Sequence, residues 1–272
     1  MINKNLTIVI NTFKSSDKIF KCLDSIGSNY KIIVVENSTD TSFKKNLEKK
    51  YKNVSCFLTN QNLGYAKGNN FGLNLVKTKF SLILNPDTIL KKDSLRNFLK
   101  FSKQYKFFSI VGPFDKDKVN IKSSNKPYEV NNVKGFAMFL KMKDFKKIGF
   151  FDKNFFIYCE EIDLCKRVKK NKKKIFINPK IKIHHLGGSS HNKSINFKME
   201  LSRNWHWMWS QFYFNRKHYG YFYSVIKFFP KLIFSVIKIF FYAMLFNKKK
   251  FQIYFHRFMG LFNSMILRSS FY

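Results

Sequence analysis

The stretch Phe80-Ser81-Leu82-Ile83-Leu84-Asn85-Pro86-Asp87 decides the fold. A short apolar run with strand character passes into a turn that ends on a carboxylate. Working outward, runs of the same kind recur at residues 6–11, 31–36 and 54–59. The segments between them read as helices. Residues 17–26 follow a serine pair suited to capping and set Ile19, Phe20, Leu23 and Ile26 on one face. Residues 41–51 space Phe43, Leu47 and Tyr51 by four, and residues 65–76 form the third helix. Strand and helix in alternation predict an α/β protein with parallel strands in right-handed crossovers, hence an open doubly wound sheet. Such sheets bind ligands at the carboxyl ends of their strands.

Glu36 ends the second strand and Asp87 follows the fourth, so both carboxylates fall on one rim. A lone acid after a strand commonly serves the turn itself. Two on the same rim point to chemistry. After the first strand the chain reads Asn11-Thr12-Phe13-Lys14-Ser15-Ser16, and neither GxGxxG nor GxxxxGK[ST] occurs anywhere. This argues against a dinucleotide-dependent oxidoreductase and against a P-loop ATPase.

Composition adds a second axis. The 272 residues suffice for one large α/β domain with an appendage, and they carry 51 Lys and Arg against 16 Asp and Glu, with 34 Phe. Base-composition bias in the gene would account for much of the Lys and Phe. It does not account for where the acids fall, because from residue 164 onward there are 22 basic residues and a single acid, Glu200. A basic, aromatic rear half suits phosphates of nucleic acid or of anionic lipid. Cys22, Cys56, Cys159 and Cys165 are scattered without zinc spacing and read as reduced thiols. The polar start running directly into a strand leaves no room for a signal peptide, so the body of the protein is expected in the cytoplasm.

Three further segments carry a resemblance. Val35-Glu36-Asn37-Ser38-Thr39-Asp40, Asn62-Leu63-Gly64-Tyr65-Ala66-Lys67-Gly68-Asn69-Asn70 and Leu84-Asn85-Pro86-Asp87 resemble the donor half of glycosyltransferase family 2, with its GT-A fold. The acceptor half follows in order: Gly135-Phe136-Ala137-Met138, Gly149-Phe150-Phe151-Asp152, Tyr158-Cys159-Glu160-Glu161-Ile162-Asp163-Leu164 and His184-His185-Leu186-Gly187-Gly188-Ser189-Ser190. The chain looks most like the rhamnosyltransferase-like enzymes of cell-surface polysaccharide assembly. The resemblance implies a GT-A domain over 1–220, with a nucleotide-sugar half at 1–112, an acceptor half at 113–220, and a basic helical extension at 221–272.

The resemblance also implies site residues. Asp87 stands where the family's DxD motif ends, with Asn85 in place of the first acid, and is expected to hold Mg²⁺ or Mn²⁺ beside the donor pyrophosphate. An imidazole joins it, His185 by its spacing to Ser190, with His184 as the rival. Adjacent residues on a strand point to opposite faces, so only one of the two reaches the metal. Glu36 would bind the nucleoside, with Thr12, Asn37, Asn62, Gly64, Lys67 and Asn69 completing the donor side. The 64–70 loop is equally readable as a tight turn and helix start, or as backbone amides facing phosphate. Glu160, Glu161 and Asp163 open a helix that closes with Lys166, Arg167, Lys169 and Lys170, the charge order a helix dipole favours. In the family the second acid of this pair is the catalytic base, here Glu161, with Glu160 and Asp163 on the acceptor side. The implied reaction is a single inverting displacement from a nucleotide diphosphate sugar to a lipid-linked or polysaccharide acceptor.

Residues 228–246 are almost wholly apolar but interrupted by Pro230, Lys231 and Lys238. Lys227, Lys231 and Lys238 recur at four and seven, the stripe expected of an in-plane helix on an anionic membrane. A helical hairpin packed on the core is the other reading. The expected location is peripheral, at the cytoplasmic face of the inner (plasma) membrane, with no nucleic-acid partner. Competing functions are a basic nucleic-acid-binding protein and an inactive scaffold of a polysaccharide assembly complex.

Overall fold

A computed structural model of the chain describes residues 2–114, 126–186 and 196–270. The glycines and serines expected at 187–190 lie outside the described residues. In chain order the elements are β1 (Leu6–Thr12), α1 (Ser16–Ile26), β2 (Lys31–Glu36), α2 (Thr41–Lys50), β3 (Val54–Leu58), α3 (Gly64–Asn74), β4 (Phe80–Leu84), β5 (Thr88–Leu90) and α4 (Ser94–Gln104). They continue with β6 (Ile110–Phe114), β7 (Tyr128–Glu129), β8 (Ala137–Lys141), α5 (Met142–Ile148), α6 (Glu160–Lys170), β9 (Ile175–His185), α7 (Asn196–Tyr219), α8 (Tyr221–Met244) and α9 (Lys248–Met265). Two compact units result. The first draws on residues 1–63, 67–151 and 161–192, and the second on 64–66, 152–160 and 193–272.

The first unit is built on one sheet of order β3-β2-β1-β4-β8-β6-β9-β5, with β7 beside β9. Strands β3, β2, β1 and β4 are parallel, as the alternation of strands and helices predicts. Their near-continuous apolar runs, such as Leu6, Ile8, Val9 and Ile10 of β1 at 0% exposure, are those of strands covered on both faces. The doubly wound expectation does not extend to the rest of the sheet, which is mixed. β8 lies antiparallel between β4 and β6. Antiparallel neighbours need no helical crossover, so the strand–helix alternation that betrays parallel strands is missing there. Phenylalanine fills the core: the Phe139 ring stacks on Phe80 at 5.0 Å and on Phe98 at 5.1 Å. The expected serine cap of α1 is not made by Ser15, whose hydroxyl instead donates to the Phe13 carbonyl at 3.1 Å.

In the second unit α7, α8 and α9 pack around Met208, Phe212, Phe228 and Leu261. Trp209 Nε1 donates to the Arg268 carbonyl at 3.0 Å, and Ser264 Oγ donates to the Trp209 carbonyl at 3.0 Å. At the crossing of α9 on α7 a Cβ on Gly260 would stand 2.1 Å from the Trp205 carbonyl oxygen, so only glycine permits this approach. Compactness therefore groups α7 with α8 and α9, whereas the sequence places a boundary after residue 220. The lysine stripe also differs from expectation. Lys227 Nζ donates to Asn215 Oδ1 at 2.9 Å and Lys231 Nζ to Gln211 Oε1 at 3.1 Å, so both turn toward α7. Among the described residues no helix is long and apolar enough to cross a membrane.

Candidate active site

The carboxyl ends of β2, β1 and β4, three adjacent strands, carry the expected donor-side residues. Thr12 ends β1 opposite Glu36 of β2, and the two are 2% and 1% exposed. Glu36 Oε1 accepts the Lys14 N–H at 3.2 Å, while Oε2 accepts no hydrogen bond. Burial pushes the Glu36 carboxyl above its usual range, and the Ser38 hydroxyl and Lys14 N–H only partly offset that. Thr12 Oγ1 is likewise buried without a hydrogen bond, and Asp87 Oδ1, also buried, has the His185 imidazole beside it. A buried polar atom that nothing satisfies costs about 1–3 kcal/mol. Buried oxygens in a row along one rim describe a surface shaped for a polar ligand.

Asp87 is placed by the turn that links β4 to β5. The Asn85 carbonyl accepts the Thr88 hydroxyl at 2.7 Å and its N–H donates to the Phe136 carbonyl at 2.9 Å. Pairing of β5 with β9 sets Thr88 opposite His185 and Ile89 opposite His184. His185 is therefore the imidazole beside Asp87, its Nε2 lying 3.3 Å from Oδ1. Its ring stacks on Phe136 with centroids 4.6 Å apart. Burial raises the Asp87 carboxyl, but the hydrogen bond and charge of His185, with help from Lys18, outweigh it and hold the group below the usual carboxylate range. Among the described residues no cluster of three or more His, Cys, Asp or Glu gathers to hold a metal ion.

The remaining donor-side residues divide by surroundings. Asn37 ties strand ends together: its N–H donates to the Thr12 carbonyl at 2.9 Å, its Nδ2 to Asn11 Oδ1 at 2.7 Å, and its Oδ1 accepts Thr59 at 3.3 Å. Asn69 is wholly buried, Asn62 half-buried and Lys67 exposed. A Cβ on Gly68 would sit 2.1 Å from Asn11 Oδ1, so the glycine lets α3 approach the end of β1. Gly64, at φ +75°, falls in the second unit, where the neighbouring Tyr65 N–H donates to the Phe156 carbonyl at 2.6 Å.

Helix α6 opens on the acidic cluster. It is entered through Tyr158 and Cys159, both left-handed at φ 73° and 66°, a conformation that costs non-glycine residues about 1 kcal/mol or more each. The Glu161 carboxyl is enclosed by protein although part of the residue reaches solvent. Burial raises it above the usual range, against hydrogen bonds from the helix-start amides of Glu161 and Ile162. Asp163 is wholly buried and held by Arg167 Nε at 2.8 Å. The same guanidinium donates to the Ile148 and Phe150 carbonyls at 2.9 and 2.5 Å, fastening the 148–150 turn. Glu160 is buried in the second unit.

Sequence reasoning left three positions without a role. Asn11, Asn70 and Phe136 each brace a site segment: Asn70 Nδ2 donates to the Phe151 carbonyl at 2.8 Å and its Oδ1 accepts the Phe151 N–H at 3.0 Å. Asn70 stands inside the quoted loop motif, which was the available signal. A cavity of about 990 Å³ lined by Lys79, Lys141, Lys173 and Phe108 opens on the opposite, amino edge of the strands, away from Asp87.

One rim of the α/β sheet thus carries a buried carboxylate beside an imidazole and a second buried carboxylate two strands away. The chain belongs to glycosyl transferase family 2, whose family model matches residues 7–165, more than half of its length, and it is a glycosyltransferase. It is similar to rhamnosyltransferase WbbL of Escherichia coli (strain K12), 28% identical over 201 residues that cover 59% of this chain and 75% of that protein. It is also similar to the low-salt glycan biosynthesis hexosyltransferase Agl10 of Haloferax volcanii, 24% identical over 193 residues covering 61% of this chain and 62% of that one, less than two thirds of that relative. Among solved structures, mannosyltransferase PcManGT from Pyrobaculum calidifontis in complex with GDP-Man and Mn²⁺ matches with a TM-score of 0.59 over 97% of this chain and 89% of that one. At 11% identity that likeness speaks to the fold.

Proposed function

We propose that the protein is an inverting, metal-dependent glycosyltransferase that moves a sugar, rhamnose or another hexose, from a nucleotide diphosphate to a lipid-linked or polysaccharide acceptor. It works as a peripheral protein on the anionic cytoplasmic face of the plasma membrane. The observation that carries this reading is the row of buried oxygens along one strand edge, Thr12 Oγ1 and Glu36 Oε2 without a hydrogen bond and Asp87 Oδ1 beside the His185 imidazole. A nucleoside with its hydroxyls and a cation-bound diphosphate would supply further partners for those atoms. Glu36 takes the nucleoside and Asp87 the diphosphate end, with Asn37 and Gly68 keeping the rim open.

A buried carboxylate oxygen and an imidazole nitrogen 3.3 Å apart are donors of the kind that would hold Mg²⁺ or Mn²⁺, so Asp87 and His185 fit such an ion. When bound, such an ion offsets the negative charge that develops on the leaving diphosphate. Glu161, its carboxyl raised above the usual range by burial, accepts the proton of the acceptor hydroxyl. The freed oxygen attacks the anomeric carbon on the face opposite the diphosphate, and configuration inverts.

WbbL is by its name a rhamnosyltransferase and Agl10 a hexosyltransferase of glycan biosynthesis, which favours this donor class. The test is a panel of nucleoside diphosphates and their sugars, read by thermal shift with Mn²⁺, followed by proton NMR of the product's anomeric centre. Stabilisation by one nucleotide and an inverted product are expected. No nucleotide response, or a retained configuration, overturns the reading.

A further inference from the structure

The outer face of α8 carries a continuous apolar stripe. Phe222, Ile226, Phe229, Ile233, Ile237 and Phe240 follow one another at spacings of three and four, so they share one side of the helix. They are between 46% and 83% exposed. The opposite side is the one that packs, with Ser224, Phe228 and Ser235 buried. Lys227 and Lys231 point away from the stripe, toward α7, where they donate to Asn215 and Gln211. From Phe222 to Phe240 the stripe runs about 27 Å, far more contiguous apolar surface than scattered exposed side chains present. Just past the end of α8, Phe246 is 95% exposed, and Lys248, Lys249 and Lys250 follow at once.

We propose that α8 lies in the plane of an anionic bilayer with this stripe and Phe246 sunk to the acyl boundary and the Lys248–Lys250 ammonium groups on headgroup phosphates. This rests on the membrane-surface placement given under the proposed function and names the face that makes the contact. Charge selects the lipid over a second copy of the chain. Residues 221–272 contain eight Lys and Arg and no Asp or Glu, so a copy docked through the same face would oppose like with like. Anionic headgroups supply the missing sign. Lys249 Nζ lies 3.4 Å from Glu200 and over the Phe197 ring at 5.7 Å, and the ion pair sits on an exposed surface where salt screens it readily. The two contributions also act at different ranges. Lysines attract the protein to the surface, and the stripe holds it there once desolvated.

The test uses the full chain and flotation with vesicles of phosphatidylcholine alone or with phosphatidylglycerol. Ile226→Gln/Ile233→Gln/Ile237→Gln alters only exposed positions and should keep the wild-type helical signal and donor hydrolysis in free solution. Its partition onto phosphatidylglycerol vesicles should fall by at least about tenfold. Lys248→Gln/Lys250→Gln should lose the preference for phosphatidylglycerol. Equal flotation of the wild type and the triple variant overturns the proposal. So does a wild-type dimer in vesicle-free sedimentation that the triple variant converts to monomer while flotation is unchanged. Asp87→Asn should float like the wild type, so failure of the catalytic reading and failure of the membrane face show up in separate measurements.

Discussion

His185 Nε2 lies 3.3 Å from Asp87 Oδ1, on a ring held flat against Phe136, and the pair forms where β9 runs antiparallel to β5. His184, one residue earlier, pairs opposite Ile89 instead. The pleat therefore selects one of two adjacent histidines, as alternation along a strand requires.

Asp87→Asn keeps the shape of the turn but removes the carboxylate that lies beside His185. Mn²⁺-dependent binding of the donor nucleotide should weaken by at least about tenfold, measured by isothermal titration with and without the cation. Metal-independent nucleotide affinity should stay the same. If the Mn²⁺ effect survives in the variant, Asp87 is not a ligand.

Gly68→Ala should destabilise the first unit by about 1–3 kcal/mol. The new Cβ would fall 2.1 Å from Asn11 Oδ1 and displace the acceptor of Asn37 Nδ2. The contact can be isolated by repeating the change in an Asn11→Ala background, where its cost should drop by about 1 kcal/mol or more. Urea denaturation of the four proteins measures this. Strict additivity would mean that Asn11 is not what forbids a side chain at 68.

Arg167→Met should cost about 3–5 kcal/mol, because it leaves the wholly buried Asp163 carboxylate without its cation and frees the Ile148 and Phe150 carbonyls. Adding Asp163→Asn should recover part of the loss in a melting experiment. An exposed pair of the same geometry would show neither effect. No recovery would place the stabilisation in the carbonyl contacts alone.

Much of this was legible in the chain. The apolar runs that became β1 to β4 are buried on both faces, so their composition announces them, and the acids that end β2 and follow β4 came with them. β8 was not legible as a strand neighbour, since Ala137–Lys141 pairs antiparallel with strands distant in sequence and no crossover marks it. Asn11 looked like an ordinary strand-end residue because its partners, Asn37 and Gly68, meet it only in the folded sheet. The lysines of α8 show the same limit. Periodicity groups Lys227 and Lys231 on one side but does not say that this side meets the amides of α7.

Glu161 is the residue on which catalysis and stability should part company. Burial raises its folded carboxyl above the ordinary carboxylate range, so the residue's contribution is fully present below that range and is lost as pH rises through the folded value. At pH above the folded value a neutral replacement removes this loss, and there Glu161→Gln should melt at or above the wild-type temperature. Transfer should nevertheless fall by about 10² to 10⁴, since the amide cannot accept the acceptor proton. In the wild type, kcat/KM should decline as pH drops through a value above 4.5, and this limb should disappear from the residual activity of Glu161→Gln. Donor affinity should hardly move, because the lost interaction belongs to the transition state. Glu160→Gln, one residue earlier in the same acidic helix start, loses the same charge near the same dipole and should keep transfer within about tenfold. If both variants melt lower and lose activity in parallel, the cluster serves to start α6 and the base must be sought elsewhere.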